Sequence, residues 1–200
     1  MIIIDCPQGE EQWFKEKLGK PSASNASKII TNEGKQSNQR TGYLYELAAE
    51  RITGKTTKGY KDKNMEIGTE RENESRAFYE LLYDLDVSVV GLVYKDENRA
   101  ICASPDGLIA DSHGLEMKNP LPKTQIKYLL EGKLPSEYFS QVQFSLYVTG
   151  LKYWDFLSYV PDMPHFLIRV ERDDKFLIAL EFELNLFCLE LEVITKKIRG

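Results

Sequence analysis

The sequence predicts an α/β (α+β) fold in a single domain over residues 1–200, with a central mixed β-sheet flanked by helices. The length is close to the ~150 residues of a typical domain. With 42% hydrophobic residues, the chain can bury enough apolar surface to offset the loss of chain entropy. Short β-rich segments occupy the middle of the chain, and segments with apolar residues at helical spacing lie on both sides of them.

The N-terminal part, about residues 1–65, is predicted to be mostly helical after one short strand at 1–5. We expect a short helix at 11–18 and a second helix that Ser24 caps and that runs to residue 30. A polar loop at 31–39 follows. The next helix has an apolar stripe and ends at Gly54, a plausible residue after a helix end, and a basic loop continues to about residue 64.

The central part, about residues 66–172, begins with a helix for which Thr69 and Glu72 fit a capping box. Its predicted apolar stripe consists of Ala77, Phe78, Leu81, Leu82 and Leu85. Strands are predicted at 87–94, 99–103, 107–110, 114–118, 153–160 and 165–171. Helices are predicted from residue 122 to about 131, at 137–148 and, as the closing C-terminal helix, at about 173–199.

Charge and cysteine content exclude several classes of protein. The net charge is −5, but it is unevenly distributed: residues 1–65 carry +3 and residues 66–200 carry −8. A basic surface beside an acidic cleft is compatible with a nucleic-acid partner, because a bound metal ion changes the sign inside such a cleft. The three cysteines form no CxxC pair, which argues against zinc and iron–sulfur sites, and their odd, sparse number fits a cytoplasmic protein. No apolar run approaches the ~18 residues of a membrane span, so no membrane partner is expected.

Two short stretches carry the candidate chemistry: Ser104-Pro105-Asp106-Gly107 and Leu115-Glu116-Met117-Lys118. Asp106 occupies a turn before a strand, and the following hairpin can return Glu116 to its side. Glu116 and Lys118 are two residues apart in a strand, so both side chains leave the same face. Adjacent carboxylates repel unless a cation compensates them, and Mg²⁺ typically uses one or two carboxylates with waters and substrate phosphate. A lysine beside such a metal can orient an attacking water and stabilise developing negative charge, which is the logic of phosphodiester hydrolysis.

These residues carry a family resemblance. The pattern Pro105-Asp106 … Glu116-x-Lys118 resembles the PD-(D/E)xK nuclease superfamily. Together with Gln141-Val142-Gln143, with Gly68-Thr69-x-x-Glu72 and with the segment from Trp13 through Lys17 and Ser22 to Ser24, it resembles lambda exonuclease and the alkaline exonucleases of viral recombination. The four motifs occur in the family's order and span residues 13–172.

The resemblance implies a restriction-endonuclease-like fold and assigns roles to individual residues. Asp106, Glu116 and the Met117 carbonyl would bind Mg²⁺, with Glu72 supporting the metal cluster. Lys118 and Gln141 would position the nucleophilic water. Lys17, Ser22 and Ser24 would bind the DNA 5′-phosphate. The family commonly has arginine where Lys17 stands, and lysine offers a point charge in place of a bidentate fork.

The resemblance also implies an activity and partners. The expected protein is a Mg²⁺-dependent 5′-to-3′ exonuclease that acts on ends of double-stranded DNA and leaves 3′ overhangs for recombination. Mn²⁺ would substitute and Ca²⁺ would inhibit. A homotrimer and a single-strand annealing protein as partner are expected. The alternatives are an endonuclease of the same superfamily and a catalytically inactive DNA-binding module.

Some of these residues have simpler interpretations. Glu72 could serve only the capping box, Gln141 could be a polar position of an amphipathic helix, and Ser22 and Ser24 could be helix caps. A helix N-terminus is itself an anion site, so capping and phosphate binding are compatible for the two serines.

Overall fold

The computed structural model describes residues 1–56, 63–110 and 112–200, with only the helical backbone described for 63–70. The described strands, in chain order, are β1 (Ile2–Ile4), β2 (Leu92–Tyr94), β3 (Cys102–Ala103), β4 (Gly107–Ile109), β5 (His113–Lys118), β6 (Tyr153–Ser158) and β7 (Phe166–Glu171). The described α-helices are α1 (Glu11–Lys17), α2 (Arg40–Thr53), α3 (Lys63–Tyr83), α4 (Pro122–Glu131), α5 (Ser136–Thr149) and α6 (Asp174–Arg199). A 3₁₀ helix, Ala23–Lys28, lies between α1 and α2.

The strands form two sheets. The first is antiparallel with the order β1-β2-β3, and the second has the order β4-β5-β6-β7. In the second sheet β5 and β6 run parallel, while β4–β5 and β6–β7 are antiparallel. The prediction of a mixed sheet flanked by helices is therefore confirmed. The structure adds that β1, β2 and β3 form a second sheet, separate from the mixed sheet of β4 to β7.

The main hydrophobic core joins elements from the beginning, middle and end of the chain. Leu47 of α2, Phe144 of α5, Trp154 of β6 and Phe187 of α6 belong to one cluster of buried side chains. Phe144, Trp154 and Phe187 are fully buried. Burial of each large apolar side chain contributes on the order of 1.5–3 kcal/mol. Apolar packing therefore holds the sheets and helices in the arrangement that positions the site.

Helix boundaries follow local signals in several places. The α2 and α5 helices end before Gly54 and Gly150, which adopt left-handed φ angles of 68° and 75°. Asp173 caps α6, because its side chain accepts a hydrogen bond from the Phe176 N–H at 2.9 Å. None of the helices in the described ranges is long and apolar enough to span a bilayer.

Two predictions for helix starts are wrong. The α3 helix begins at Lys63, so Glu72 lies inside the helix and not in a capping box at its start. The second helix is a 3₁₀ helix that Ser22, not Ser24, precedes, and Ser22 makes no side-chain capping bond. Local capping patterns predict a helix start only when the preceding chain is not helical, and here α3 extends further back.

The apolar stripe predicted for α3 is only partly correct, because Phe78 and Leu85 pack against an apolar cluster but the other predicted members do not. Leu81 is 85% exposed and Leu82 is 44% exposed, whereas Ser75 and Tyr79 are buried. The helix packs against β5, so the face that it buries carries the polar side chains of the candidate site. The predicted basic loop and the Gly68-Thr69 pair fall largely outside the described residues.

Candidate active site

The hairpin of β4 and β5 brings Asp106 to β5. Asp106 directly precedes β4, and its Oδ2 accepts a hydrogen bond from the Met117 N–H at 2.6 Å. Gly107 pairs with Leu115 across the hairpin. A Cβ at Gly107 would lie 2.1 Å from Val87 Cγ1, so only glycine allows this close approach.

Glu116 is the buried centre of the site. It is 1% exposed, and its Oε1 accepts hydrogen bonds from Gln141 Nε2 at 2.6 Å and from Lys118 Nζ. Leu115 and Met117, on the opposite face of β5, belong to an apolar cluster. Successive side chains of β5 therefore alternate between the polar site and the apolar cluster, as expected for a β-strand. The α5 helix supplies Gln141 from the other side of the site.

The α3 helix brings Glu72 to the same place. The Glu72 carboxyl lies close enough to Asp106 to contribute to the increase in the Asp106 pKa. Two turns further along α3, the buried Tyr79 hydroxyl donates a hydrogen bond to Asp155 Oδ2 at 2.8 Å and lies 2.9 Å from His113 Nε2. Arg169 pairs with Asp155 at 3.0 Å. This network joins α3 to β5, β6 and β7 and holds Glu72 beside Asp106.

Burial dominates the electrostatics of the carboxyl groups. It raises the pKa of Asp106 to about 6; Lys118 opposes this increase and Glu72 adds to it. Burial also raises the pKa of Glu116 to about 7, again against the effect of Lys118 and with a contribution from Asp106. For Lys118, burial favours the neutral amine, but Glu116 and Asp106 outweigh it and raise its pKa, so Lys118 is an ammonium. A buried and a half-buried carboxylate held together in this way favour a bound cation.

We expect Asp106→Asn to stabilise the protein in the absence of metal. The folded pKa of Asp106, about 6, lies above its ordinary value of 3.8, so ionisation costs stability as the pH rises through this window. Asparagine does not ionise, can accept from Met117 N–H and can donate to Glu72. The increase in the free energy of unfolding should be absent near pH 4. It should reach at most ~3 kcal/mol above pH 6, since one pKa unit corresponds to about 1.4 kcal/mol.

The free energy of unfolding is measured by urea denaturation in the presence of a chelator, near pH 4 and at pH 8. The matched control is Asp162→Asn, because Asp162 is an exposed carboxylate. A variant that is equally or less stable than the unmodified protein at pH 8 would contradict the argument from burial.

The donor set fits a hard divalent cation. Within the ranges described above, no three His, Cys, Asp or Glu side chains form a ready-made ligand cluster. The site instead offers the Asp106 and Glu116 carboxylates, with the Met117 carbonyl on the same strand. Mg²⁺ commonly takes one or two carboxylates and completes its shell with water and substrate phosphate. The residues present suit that mode of binding.

The three predicted phosphate-binding residues line one cavity of about 320 Å³. Lys17 Nζ lies 4.4 Å from the ring centroid of Trp13. Ser22 is buried, and its Oγ lies 3.4 Å from that of the exposed Ser24. We call this cavity the N-terminal pocket.

Trp13 links the N-terminal pocket to the carboxylates. Its Nε1–H donates to Ser104 Oγ at 3.0 Å, two residues before Asp106. It also donates to the Gly91 carbonyl at 3.0 Å. The pocket and the hairpin are therefore held in a defined relation to each other.

Sequence reasoning missed two residues of the site. Lys118 Nζ lies 5.3 Å from the ring centroid of Tyr138, which is three residues from Gln141 on α5 and shares its face. That spacing could have indicated Tyr138. Gln8 Nε2 donates to the Pro105 carbonyl at 2.8 Å and supports the turn that carries Asp106. No local pattern indicates Gln8, because 97 residues separate it from Pro105.

A mixed sheet whose hairpin brings two carboxylates and a lysine together is compatible with metal-assisted phosphodiester hydrolysis. The chain belongs to the YqaJ-like viral recombinase domain family, whose model matches residues 12–152. This match confirms the predicted relationship to the lambda-exonuclease-like family.

Solved structures agree with this assignment. The alkaline exonuclease LHK-Exo from Laribacter hongkongensis is 34% identical, with a TM-score of 0.84 over 95% of this chain and 96% of that chain. LHK-Exo in complex with dAMP matches with the same values. A phage-related exonuclease from Haemophilus somnus 129PT shares the fold at 13% identity, with a TM-score of 0.66 over 90% of this chain and 95% of that chain. No curated protein matches the chain. The chain is thus an enzyme, a DNA exonuclease.

Proposed function

We propose that this protein is a Mg²⁺-dependent exonuclease that degrades one strand of linear double-stranded DNA from its 5′ end. The product would be a duplex with 3′ single-stranded overhangs, suited to recombination. The observation that carries the proposal is the hydrogen bond from Trp13 to Ser104, which links the N-terminal pocket to the turn that carries Asp106. Lys17 and Lys20 line this pocket together with Glu46 and Glu50. A pocket for the strand end beside a hydrolytic site is what directional degradation requires.

The metal would be held by Asp106, Glu116 and the Met117 carbonyl, with Glu72 beside Asp106. When bound, it supplies Lewis-acid activation of the scissile phosphate and lowers the pKa of water. Lys118 contacts the Glu116 carboxylate and would orient the attacking water and stabilise the negative charge that develops. Gln141 holds the Glu116 carboxylate in place and contributes to the position of the water.

The polarity of degradation would come from the N-terminal pocket. Lys17 contributes a charge, and Ser22 and Ser24 contribute hydroxyl groups that can donate to a phosphate. The neighbouring 3₁₀ helix has six residues, so the side chains and not a helix dipole would provide the recognition. The proposed occupant is the terminal 5′-phosphate of the strand that is degraded.

Lys17→Ala should remove most of the preference for 5′-phosphorylated over 5′-hydroxyl ends. The variant should initiate slowly but cleave normally once engaged, because Lys17 contacts the strand end and not the scissile bond. Lys17→Arg should keep or improve the preference, since arginine can bind phosphate bidentately. Initial and single-turnover rates on duplexes with either end chemistry measure both effects, with Lys133→Ala as the control. If the unmodified enzyme degrades 5′-phosphorylated and 5′-hydroxyl ends at equal rates, the N-terminal pocket is not a 5′-phosphate site.

The function itself is tested with a linear duplex that carries a 5′-phosphate at one end only. Mg²⁺-dependent release of nucleotides from that end, with the other strand retained, is the expected result. Covalently closed circular DNA should stay intact, and its cleavage would favour the endonuclease alternative. The inactive DNA-binding module is disfavoured by the match to an alkaline exonuclease and by the intact set of Asp106, Glu116 and Lys118.

We further infer one nuclease domain, with the 5′-phosphate site in its N-terminal part, and a homotrimer that acts with a single-strand annealing protein. Ile178, Phe182, Leu189 and Val193 are exposed on one face of α6 and offer apolar surface that an oligomer can bury. Light scattering tests the oligomeric state. The sparse cysteines support a cytoplasmic location.

A further inference from the structure

A β-turn holds the two lysines that line the N-terminal pocket. Lys17 and Lys20 are the first and last residues of this turn, and the Lys20 N–H donates a hydrogen bond to the Lys17 carbonyl at 3.2 Å. Leu18 has a φ of −53° and a ψ of 126°, and Gly19 has a φ of +64°. These angles match a type II turn, which favours glycine at its third position. Because both lysines line the pocket, the conformation of the turn determines where their charges lie.

Two consecutive residues of α2 hold the centre of the turn. Glu50 Oε2 accepts a hydrogen bond from the Gly19 N–H at 3.0 Å, and Arg51 Nε donates to the Gly19 carbonyl at 2.7 Å. Gly19 is buried, and Glu50 is 8% exposed. Buried polar groups are costly to leave unpaired, so the two bonds favour one conformation of the turn. We call Glu50 and Arg51 the turn clamp.

Gly19 packs directly against the turn clamp. A Cβ at this position would lie 2.4 Å from Arg51 Cγ, which is closer than two carbon atoms of packed side chains can approach. The positive φ angle would also strain any other residue. Glycine is therefore required both by the turn and by the contact with Arg51. A substitution of Gly19 disturbs the clamp without changing either of its residues.

Charge alone does not explain how the pocket would select a phosphate. Among its described lining residues, Lys17 and Lys20 are opposed by Glu46 and Glu50. A carboxylate repels a nearby phosphate, so its presence in the pocket needs a physical reason. For Glu50, the bond to the Gly19 N–H supplies one. Recognition in this pocket therefore depends on where the lysines are held, and less on an excess of positive charge.

We propose that Glu50 and Arg51 are positioning residues for the recognition of the DNA strand end. They act through the turn, which they hold so that Lys17 reaches the same phosphate as Ser22 and Ser24. This rests on the proposed function, which assigns the 5′-phosphate to the pocket. Loss of the clamp should weaken recognition of the phosphorylated end. Cleavage itself should be unchanged, because the proposed metal ligands are carried by the separate hairpin of β4 and β5.

The test measures kcat and KM on duplex ends that carry either a 5′-phosphate or a 5′-hydroxyl. Glu50→Ala should reduce the preference for the phosphate by about tenfold or more, through KM and not kcat, because a displacement of about 1 Å in a positioning group can cost up to ~10²-fold. Glu50→Gln should retain most of the preference, since its amide oxygen can still accept from the Gly19 N–H. Gly19→Ala should resemble Glu50→Ala, because it displaces the turn at the same contact.

The matched control is Glu80→Ala. Glu80 Oε1 on α3 accepts a hydrogen bond from the Val87 N–H at 2.9 Å, so this variant loses the same kind of bond in another part of the fold. Its preference for the phosphorylated end should equal that of the unmodified enzyme. Melting temperatures of all variants are recorded, so that an effect of lower stability is separated from an effect on recognition. If Glu50→Ala does not fold, Gly19→Ala provides the test.

Two results would overturn the proposal while leaving the 5′-phosphate site intact. One is a preference that Lys17→Ala abolishes but that Glu50→Ala and Gly19→Ala leave unchanged. The other is a higher preference in both Glu50→Ala and Glu50→Gln, which would show that Glu50 only repels the phosphate. If the unmodified enzyme shows no preference at all, the proposed 5′-phosphate site is wrong, and the role of the clamp in recognition is wrong with it.

Discussion

Asp106→Ala and Glu116→Ala should each abolish hydrolysis while the protein stays folded. Glu116 lies on β5, and Asp106, which directly precedes β4, contacts β5 through the Met117 N–H. Loss of either would remove a ligand of the proposed metal and with it several kcal/mol of transition-state stabilisation, which corresponds to a rate loss of about 10³-fold or more. Nucleotide release from a linear duplex measures activity, and thermal melting measures folding.

The choice of metal extends this prediction. Mg²⁺ and Mn²⁺ should support cleavage, whereas Ca²⁺ should support DNA binding only, because its higher and looser coordination misplaces the water. The exposed carboxylate variant Asp162→Asn serves as the control. Near-full activity of either alanine variant would show that the metal site has been assigned to the wrong residues.

Lys118→Ala should lower kcat by about 10²- to 10⁴-fold and leave DNA affinity in Ca²⁺ almost unchanged. Lys118 faces Glu116 at the centre of the site, where a fixed ammonium acts on charge that develops in the transition state. Its removal also leaves Glu116 without its cationic partner, so the melting temperature of the metal-free variant must be recorded beside the rates.

The matched control is Lys152→Ala, because Lys152 is an exposed lysine that follows α5. Single-turnover rates at saturating enzyme separate cleavage from binding. If Lys118→Ala binds DNA poorly and cleaves normally once bound, Lys118 is a phosphate contact and has no role in the chemical step.

The sequence predicted that the side chains of the proposed catalytic site lie together, because these residues are close in the chain. Asp106, Glu116 and Lys118 lie within thirteen residues of one hairpin. A proline–aspartate–glycine turn and the alternation of strand side chains are enough to place three side chains on one face. The strand order could not be predicted in the same way, because the separation into two sheets depends on which strands pair.

The sequence did not predict how α3 contributes to the site. The periodicity of Leu81 and Leu82 indicated the wrong buried face, because a helix beside a polar cleft can bury Ser75 and Tyr79 and leave leucines exposed. The contact between Glu72 and Asp106 depends on the packing of α3 against β5. The link to the pocket through Trp13 and Ser104 joins residues 91 positions apart.

The features that the sequence predicted and those that it did not differ in the range over which their causes act. Turn chemistry and side-chain alternation act over a few residues, so the composition of a short segment determines them. Contacts such as that between Gln8 and Pro105, or those of Gly19 with Glu50 and Arg51, form only when the core brings distant elements together. The amino-acid sequence by itself therefore indicated the carboxylates, the lysine and the class of reaction. The tertiary structure alone decided which contacts hold them in place and which elements lie beside them.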